Sequence, residues 1–224
     1  MDLQALSVTL RLAAVTTVIL LLLAIPLSFW IVSTRSRLRA PIEAITTLPI
    51  LLPPTVLGFY LLVLLGPRTS LGRVWIHLTG HPLAFTFSGL VIGSIIYSLP
   101  FAVQPLVAGF SAVDVALIEQ ARLLGASRWR LLRSVLLPLS ARSIGVAALL
   151  CFTHTVGEFG VVLMVGGDIP GATRTLSIAI YDQVQDFAYA AANRTALLLV
   201  VIAVASLAIL YAWRGAYPGA HHEK

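Results

Sequence analysis

The sequence predicts an all-α integral membrane protein with about five transmembrane helices, and three observations carry that expectation. Hydrophobic residues make up 58% of the chain against 11% charged, and the mean hydropathy is +0.95, far from soluble globular composition. Five runs reach spanning length, four of them uncharged and one holding a single acid. The basic residues then fall unevenly on the two sides that those runs define. The 224 residues leave room for several spans and for no sizeable soluble domain. A net charge of +6, from 15 basic and 9 acidic residues, would point to nucleic acid in a soluble protein. Here it reads as arginines holding loops in the cytoplasm, with no nucleic-acid partner. The single cysteine, Cys151, lies in an apolar run, which excludes an internal disulfide and indicates no metal cluster; it reads as a small core residue.

The first run, Leu12 to Val32, carries no charge and can cross about 30 Å of hydrocarbon. It is too long for a signal peptide's apolar stretch, and its basic start is weak because Asp2 precedes Arg11, so it is expected to be retained. Arg35, Arg37 and Arg39 follow at once, opposed only by Glu43, and mark the cytoplasmic side. The second run, Ala44 to Gly66, contains LPILLPPTVLG with Pro49, Pro53 and Pro54. Prolines remove backbone donors where no water can replace them. Two readings stand: an ordinary kink, or a kinked helix beside a translocation path. The segment from Pro67 to Pro82, with Arg68, Arg73, His77 and His81, reads as an exposed loop. Its two histidines have no third ligand, so no metal is expected.

The third run, Leu83 to Gly109, carries Pro100 and Pro105 and delivers the chain to its one charged, amphipathic island. Four arginines, Arg122, Arg128, Arg130 and Arg133, crowd between Glu119 and Pro138. Val113, Leu117, Ala121 and Leu124 share a helix face, and Ser111 stands three residues before Asp114, the spacing of a capping box. Gly125 interrupts that helix, and a second rhythm follows through Trp129, Leu132, Val135 and Leu136. The pattern predicts two short surface helices joined at a glycine. They either dock on a partner or anchor the chain to lipid headgroups.

The fourth run, Ser143 to Gly167, is interrupted by Glu158 between Gly157 and Gly160. A carboxyl inside a span is costly unless it faces protein or water. His154, one turn earlier, is placed to partner it; alternatively Glu158 sits near the outer end and is solvated. Next, Gly166, Gly167, Pro170 and Gly171 form a turn. Leu176, Ile180, Val184 and Phe187 mark one face of a short helix on the outer surface, with Asp182 and Asp186 on its polar side. Whether 173–187 dips into the membrane stays open. A last run, Thr195 to Trp213, spans between Arg194 and Arg214. With the N-terminus outside, ten basic residues are cytoplasmic (Arg35, Arg37, Arg39, Arg122, Arg128, Arg130, Arg133, Arg142, Arg214, Lys224) and five are not.

The chain has no G-x-x-x-x-G-K-[ST], so it holds no ATP through a P-loop of its own. It also lacks H-E-x-x-H and G-x-S-x-G, which leaves a membrane protease or lipase without support, and an enzyme is not expected. A secondary transporter usually shows two similar halves in a longer chain. Five spans make a poor pathway alone, so a symmetric dimer with the path on its axis is expected.

Glu119, Ala121, Gly125, Ala126, Val135, Leu137 and Pro138 together resemble the EAA loop of ABC importer permeases, with Gln120 where that pattern has a second alanine. LPILLPPTVLGFYLL, GEFG at Gly157 to Gly160 and IPGATRT at Ile169 to Thr175 resemble the molybdate permease branch over nearly the whole chain. Sulfate permeases share the GEFG-like element but are longer; tungstate permeases are closer still.

The resemblance implies a type I ABC importer permease fold in the cytoplasmic membrane of a bacterium or archaeon. It implies a transmembrane domain over 6–214 with spans at about 12–32, 44–66, 83–109, 143–167 and 195–213. A cytoplasmic coupling loop would occupy about 113–138 and a cytoplasmic tail 215–224. The implied assembly is a homodimer in membrane lipid with two ATPase subunits and an external oxyanion-binding protein. ATP and Mg belong to the ATPases and no cofactor to this chain. Glu119, Ala121, Gly125, Ala126, Leu137 and Pro138 would couple to the ATPase. Pro53, Pro54, Gly58, Gly157, Glu158, Gly160, Thr173 and Arg174 would line the path or gate. Because a fixed negative charge repels a dianion, Glu158 is expected to be held off the path by His154 or by backbone N–H groups.

Overall fold

The computed structural model describes residues 2–215, and the described residues fold into helices joined by short turns. Helix α1 (Leu3–Ser33) starts at Asp2, whose carboxylate accepts a hydrogen bond from the Ala5 N–H at 2.9 Å. It runs well past the apolar stretch in which the sequence located it. Its 31 residues give a rod of about 46 Å, longer than the hydrocarbon layer, so its first turns extend beyond the apolar run. Helix α5 (Phe87–Ser111) continues through Pro100 and Pro105, and α9 (Ala141–Gly157) packs against both. Leu20, Ala24, Ala102, Leu106, Ala147 and Cys151 form the centre of this bundle, all fully buried. Small residues at these positions let the helix backbones approach closely where apolar lipid offers no hydrophobic drive.

The second apolar run is not one continuous helix. It forms α2 (Arg39–Leu51) and α3 (Pro54–Leu64), whose axes bend by 112° at Leu52 and Pro53. Pro53 holds extended backbone (ψ 135°) and Pro54 opens α3, where its missing N–H costs nothing. The fourth run is divided as well, into α9 and α10 (Gly160–Gly166). Three helices, α1, α5 and α12 (Tyr189–Gly215), are long and apolar enough to cross a membrane alone; counting two bent pairs, α2 with α3 and Arg128–Leu139 with α9, as one span each brings the number to five.

Three expectations from sequence are corrected. The stretch read as a loop at 67–82 contains α4 (Ser70–Thr79), capped by Thr69 and closed by Gly80 at φ 80°. The Ser111–Asp114 capping box does not form: Ser111 is still in α5, and Asp114 alone caps α6 (Val115–Leu123) by accepting from the Ala116 N–H at 2.8 Å. On α11 (Leu176–Gln185) the buried side is Leu176, Ile178 and Ala179, while Val184 and Phe187 are exposed. That helix lies across the start of α1, where Thr9 Oγ1 accepts from the Leu176 N–H, and this contact selects the buried side. Of the expected tail, residues 216–224 lie outside the described residues.

Candidate functional site

Two places stand out, one where the broken helices meet and one where the amphipathic island is left open. At the first, α3 packs against α10, with Leu57, Leu61, Val161 and Val165 buried between them and α5. The approach is close enough that a Cβ on Gly58 would sit 2.8 Å from Met164 Cβ, and one on Gly160 would sit 2.7 Å from Pro54 Cβ. Gly58 thus seats α3 on α10, while Pro54 and Gly160, with Gly157 and Glu158, border a cavity of about 540 Å³ that Gly58 does not line. Thr55, Tyr97, Thr153 and His154 complete much of its wall.

Glu158 occupies the gap between α9 and α10 and is only 4% exposed, so the solvated reading does not hold. Its partner is not His154. Ser94 Oγ on α5 donates to Glu158 Oε2 at 2.8 Å, and Ser177 Oγ on α11 donates to the Glu158 backbone carbonyl at 2.5 Å. The break is thus tied to two other helices. The other carboxyl oxygen, Oε1, is buried without a partner. His154 turns to Ser98 Oγ instead, 2.9 Å from its Nδ1, and stacks on Phe101 with centroids 4.1 Å apart. Tyr97 tilts against the same imidazole at 4.8 Å. Sequence reasoning missed Ser94, Tyr97 and Ser98. The signal was a pair of small hydroxyl residues one turn apart in an apolar run, a position where polar groups face protein.

Thr173 and Arg174 stand apart from this cavity. Thr173 is fully buried, and its hydroxyl accepts from the Ile169 N–H at 3.1 Å to close the turn after α10. Arg174 makes a bidentate pair with Asp168, at 2.5 and 2.7 Å, and reaches Asp182 at 3.2 Å. The guanidinium hydrogen bonds hold the Asp168 carboxyl below its ordinary value. A hydrogen bond to Asp168, then burial, pushes Asp182 up to about 6. The cation is spent on its own loop.

At the second place, α6 ends in a Schellman turn: the Gly125 N–H donates to Arg122 O and the Ala126 N–H to Ala121 O, with Gly125 at φ 78°. Ser127 caps the short α7 (Arg128–Leu131), a π-helical turn (Leu132–Leu136) follows, and α8 (Leu137–Leu139) meets α9 at a 77° bend. Leu131, Leu132 and Leu136 hold this arm to the bundle. Facing away, Val115, Leu123, Leu124 and Trp129 are 64, 87, 86 and 63% exposed. Glu119 is exposed among them and Ala126 partly so. No metal-ligating cluster forms among the described residues.

A helical bundle with broken spans and a bare apolar elbow is the layout of an importer's membrane subunit, and sequence comparison agrees. The chain belongs to the family described as the inner membrane component of binding-protein-dependent transport systems, whose model matches residues 21–216. Among its relatives, the molybdenum transport system permease protein ModB of Azotobacter vinelandii is 47% identical over 213 residues, 95% of this chain and 94% of that one. The protein of the same name from Escherichia coli K12 is 35% identical over 172 residues, 76% of this chain and 75% of its own. In structure, a bacterial ABC transporter involved in import of the polysaccharide alginate superposes with a TM-score of 0.77, covering 97% of this chain and 80% of that one. At 19% identity this likeness shows the fold, that of a type I ABC importer permease.

Proposed function

We propose that this chain is the membrane-spanning permease subunit of an ATP-driven importer that carries molybdate inward across the cytoplasmic membrane. The observation that carries the substrate is the 47% identity, across 95% of the chain, to a molybdenum permease. The working assembly is two copies of the chain, two ATPase subunits that bind ATP and Mg, and an external oxyanion-binding protein. The family's dependence on a binding protein supports the last of these. Each chain spans from about residue 6 to 214, with 113–138 facing the cytoplasm.

The elbow around Gly125 is the ATPase contact. Four large apolar side chains exposed on a charged loop read as an unfilled protein interface. Glu119, Ala121 and Ala126 flank the turn, and Leu137 and Pro138 lie where the arm joins α9, so a push on the elbow is delivered to the bend at Ser140. Closure of the ATPases on ATP would open the path outward; hydrolysis and release would return it inward. Pro53, Pro54, Gly58, Gly157, Glu158 and Gly160 border the path, while Thr173 and Arg174 shape the loop beside it. High affinity resides in the binding protein, since a permease that held the dianion tightly would trap it.

The test is reconstitution of the chain with a cognate ATPase and binding protein, and measurement of ATP-dependent uptake of molybdate, tungstate and sulfate. Molybdate uptake that sulfate does not compete away is the expected result. Sulfate uptake with molybdate refused would overturn the substrate assignment.

A further inference from the structure

The cavity between the two broken helices is lined mostly by apolar surface, interrupted by four uncharged hydrogen-bonding side chains and by Glu158. Thr55 comes from α3, Tyr97 from α5, and Thr153 and His154 from α9; no lysine or arginine is among the described residues that line it. Elsewhere in the fold, threonine hydroxyls are largely consumed by nearby backbone, as at Thr46, Thr69 and Thr79. Around the cavity the hydrogen bonds run outward, from Ser94 to Glu158 and between Ser98 and His154, and none among the described residues ties up the hydroxyls of Thr55, Tyr97 or Thr153. Beside them lies the one orphaned group of the wall, Glu158 Oε1, buried and without a donor. That oxygen is enclosed by protein and faces no guest. What the cavity offers a polar guest is the set of open hydroxyls on α3, α5 and α9.

We propose that this cavity is a weak, transient seat for one hydrated tetrahedral oxyanion, held by the hydroxyls of Thr55, Tyr97 and Thr153 and by the imidazole of His154; this rests on the transport reading above. The volume, about 540 Å³, is that of roughly eighteen waters at about 30 Å³ each, so an oxyanion fits with part of its shell. Substrate oxygens accept from the hydroxyls. Glu158 Oε1 is buried behind the wall, so the carboxyl does not touch the substrate. Hydroxyl donors bring no positive charge to offset that of the dianion, so they hold it less firmly than arginine would. A wall without arginine therefore accepts the dianion and lets it go, as passage demands. Because α3 and α10 both border the cavity, a change in the bend of either pair of broken helices reshapes the seat.

The experiment uses the assembled complex in lipid nanodiscs. Molybdate binding is measured by equilibrium dialysis without the binding protein, and uptake KM with it. Thr55→Val, Tyr97→Phe and Thr153→Val keep shape and remove one hydroxyl each. Each should weaken binding by about 2- to 10-fold, and the triple variant should abolish measurable binding. Thr55→Ser and Thr153→Ser should retain it, which a purely structural role for the methyl groups would not produce. Unchanged binding and KM in a triple variant of normal thermal stability would overturn the seat. If the wild-type complex transports a different oxyanion, the substrate assignment fails and the same variants are read with that ion. The two failures therefore stay distinguishable.

Discussion

The interruption at Gly125 and the interruption at Glu158 and Phe159 look alike in sequence, each a glycine-flanked break in a helical pattern, yet they are built on different physics. At the first, a Cβ added to Gly125 would meet nothing within 4 Å, and what demands glycine is its φ of 78°. At the second, Gly160 and its neighbour Gly58 have ordinary backbone angles, and what demands glycine is contact: Pro54 and Met164 stand where a side chain would be. One glycine serves an elbow that faces outward and awaits a partner. The others serve a joint already closed inside the bundle. Damage at the joint should therefore reach the fold, and damage at the elbow should reach only the coupling.

The largest effect is expected from Gly58→Val. Three heavy atoms must be fitted where the first already lies 2.8 Å from Met164 Cβ and 3.2 Å from Val161 Cα. Overpacking of this kind costs about 1–3 kcal/mol and forces α3 off α10. The variant should show reduced yield and a lowered melting temperature in detergent. A variant as stable as wild type would mean the two broken helices do not pack as described.

Gly125→Val should leave the melting temperature nearly unchanged while transport falls by tenfold or more. A β-branched residue at positive φ costs about 1–2 kcal/mol locally, enough to unwind the Schellman turn and misplace the elbow. Gly125→Asn sharpens the comparison, because asparagine tolerates the left-handed region, and it should retain most uptake. Equal loss in both variants would mean that close approach to the ATPase, and not φ, is what glycine supplies there. Full substrate-stimulated ATP hydrolysis by the valine variant would remove Gly125 from coupling altogether.

Much of this was legible in the sequence because hydrophobic runs and breakers report local structure. The five apolar runs, the proline break at Pro53 and Pro54, the turn at Gly125 and the break at Gly157 to Gly160 were all visible. The bends of 112° and 77° were not, because composition fixes that a helix stops and not where the chain then points. The partner of Glu158 was missed for a related reason. His154 is the neighbour that helical periodicity offers, whereas Ser94 lies 64 residues away and becomes a neighbour only through the packing of α5. Likewise α4 was read as a loop although Thr69 at its start, Gly80 at its end and an amphipathic rhythm were in view; Arg68, Arg73, His77 and His81 dominated the reading of so short a segment.

A moderate effect should follow from Ser94→Ala, which probes the closed joint without adding atoms. Among the described residues the substitution removes the only side-chain donor to the Glu158 carboxyl and leaves both of its oxygens without one. Stranding a buried acceptor costs about 1–3 kcal/mol. Stability should drop by that order, and uptake should fall severalfold, while the elbow at Gly125 is untouched. Ser94→Thr, which keeps the hydroxyl, should recover part of the loss. If alanine proved harmless, the tie between α5 and the α9–α10 break would carry no weight.

The smallest effect is expected outside the spanning helices, at Asp182. Asp168 and Asp182 share Arg174, and the single guanidinium satisfies Asp168 first. The hydrogen bond with Asp168 and then burial push Asp182 up to about 6, above its ordinary 3.8. The sign follows from linkage: an acid whose value rises on folding binds its proton more tightly in the folded state. Its contribution to stability is fully present below its ordinary value and is lost as pH rises through about 6. Asp168 runs the other way, its value depressed by Arg174, so its contribution holds above the ordinary range and fades only as pH falls through the lowered value. At pH 8 the folded protein therefore carries two ionised carboxylates against one cation, and removing one charge should help. Asp182→Asn is expected to raise the melting temperature slightly at pH 8 and to make almost no difference at pH 5, where Asp182 is already largely protonated. The Asp168 and Asp182 side chains are 26% and 33% exposed, so solvent screening keeps the gain below about 1 kcal/mol. Differential scanning fluorimetry at the two pH values reads the difference directly. A melting temperature lowered at pH 8 would show that the pair with Arg174, not the repulsion by Asp168, governs this loop.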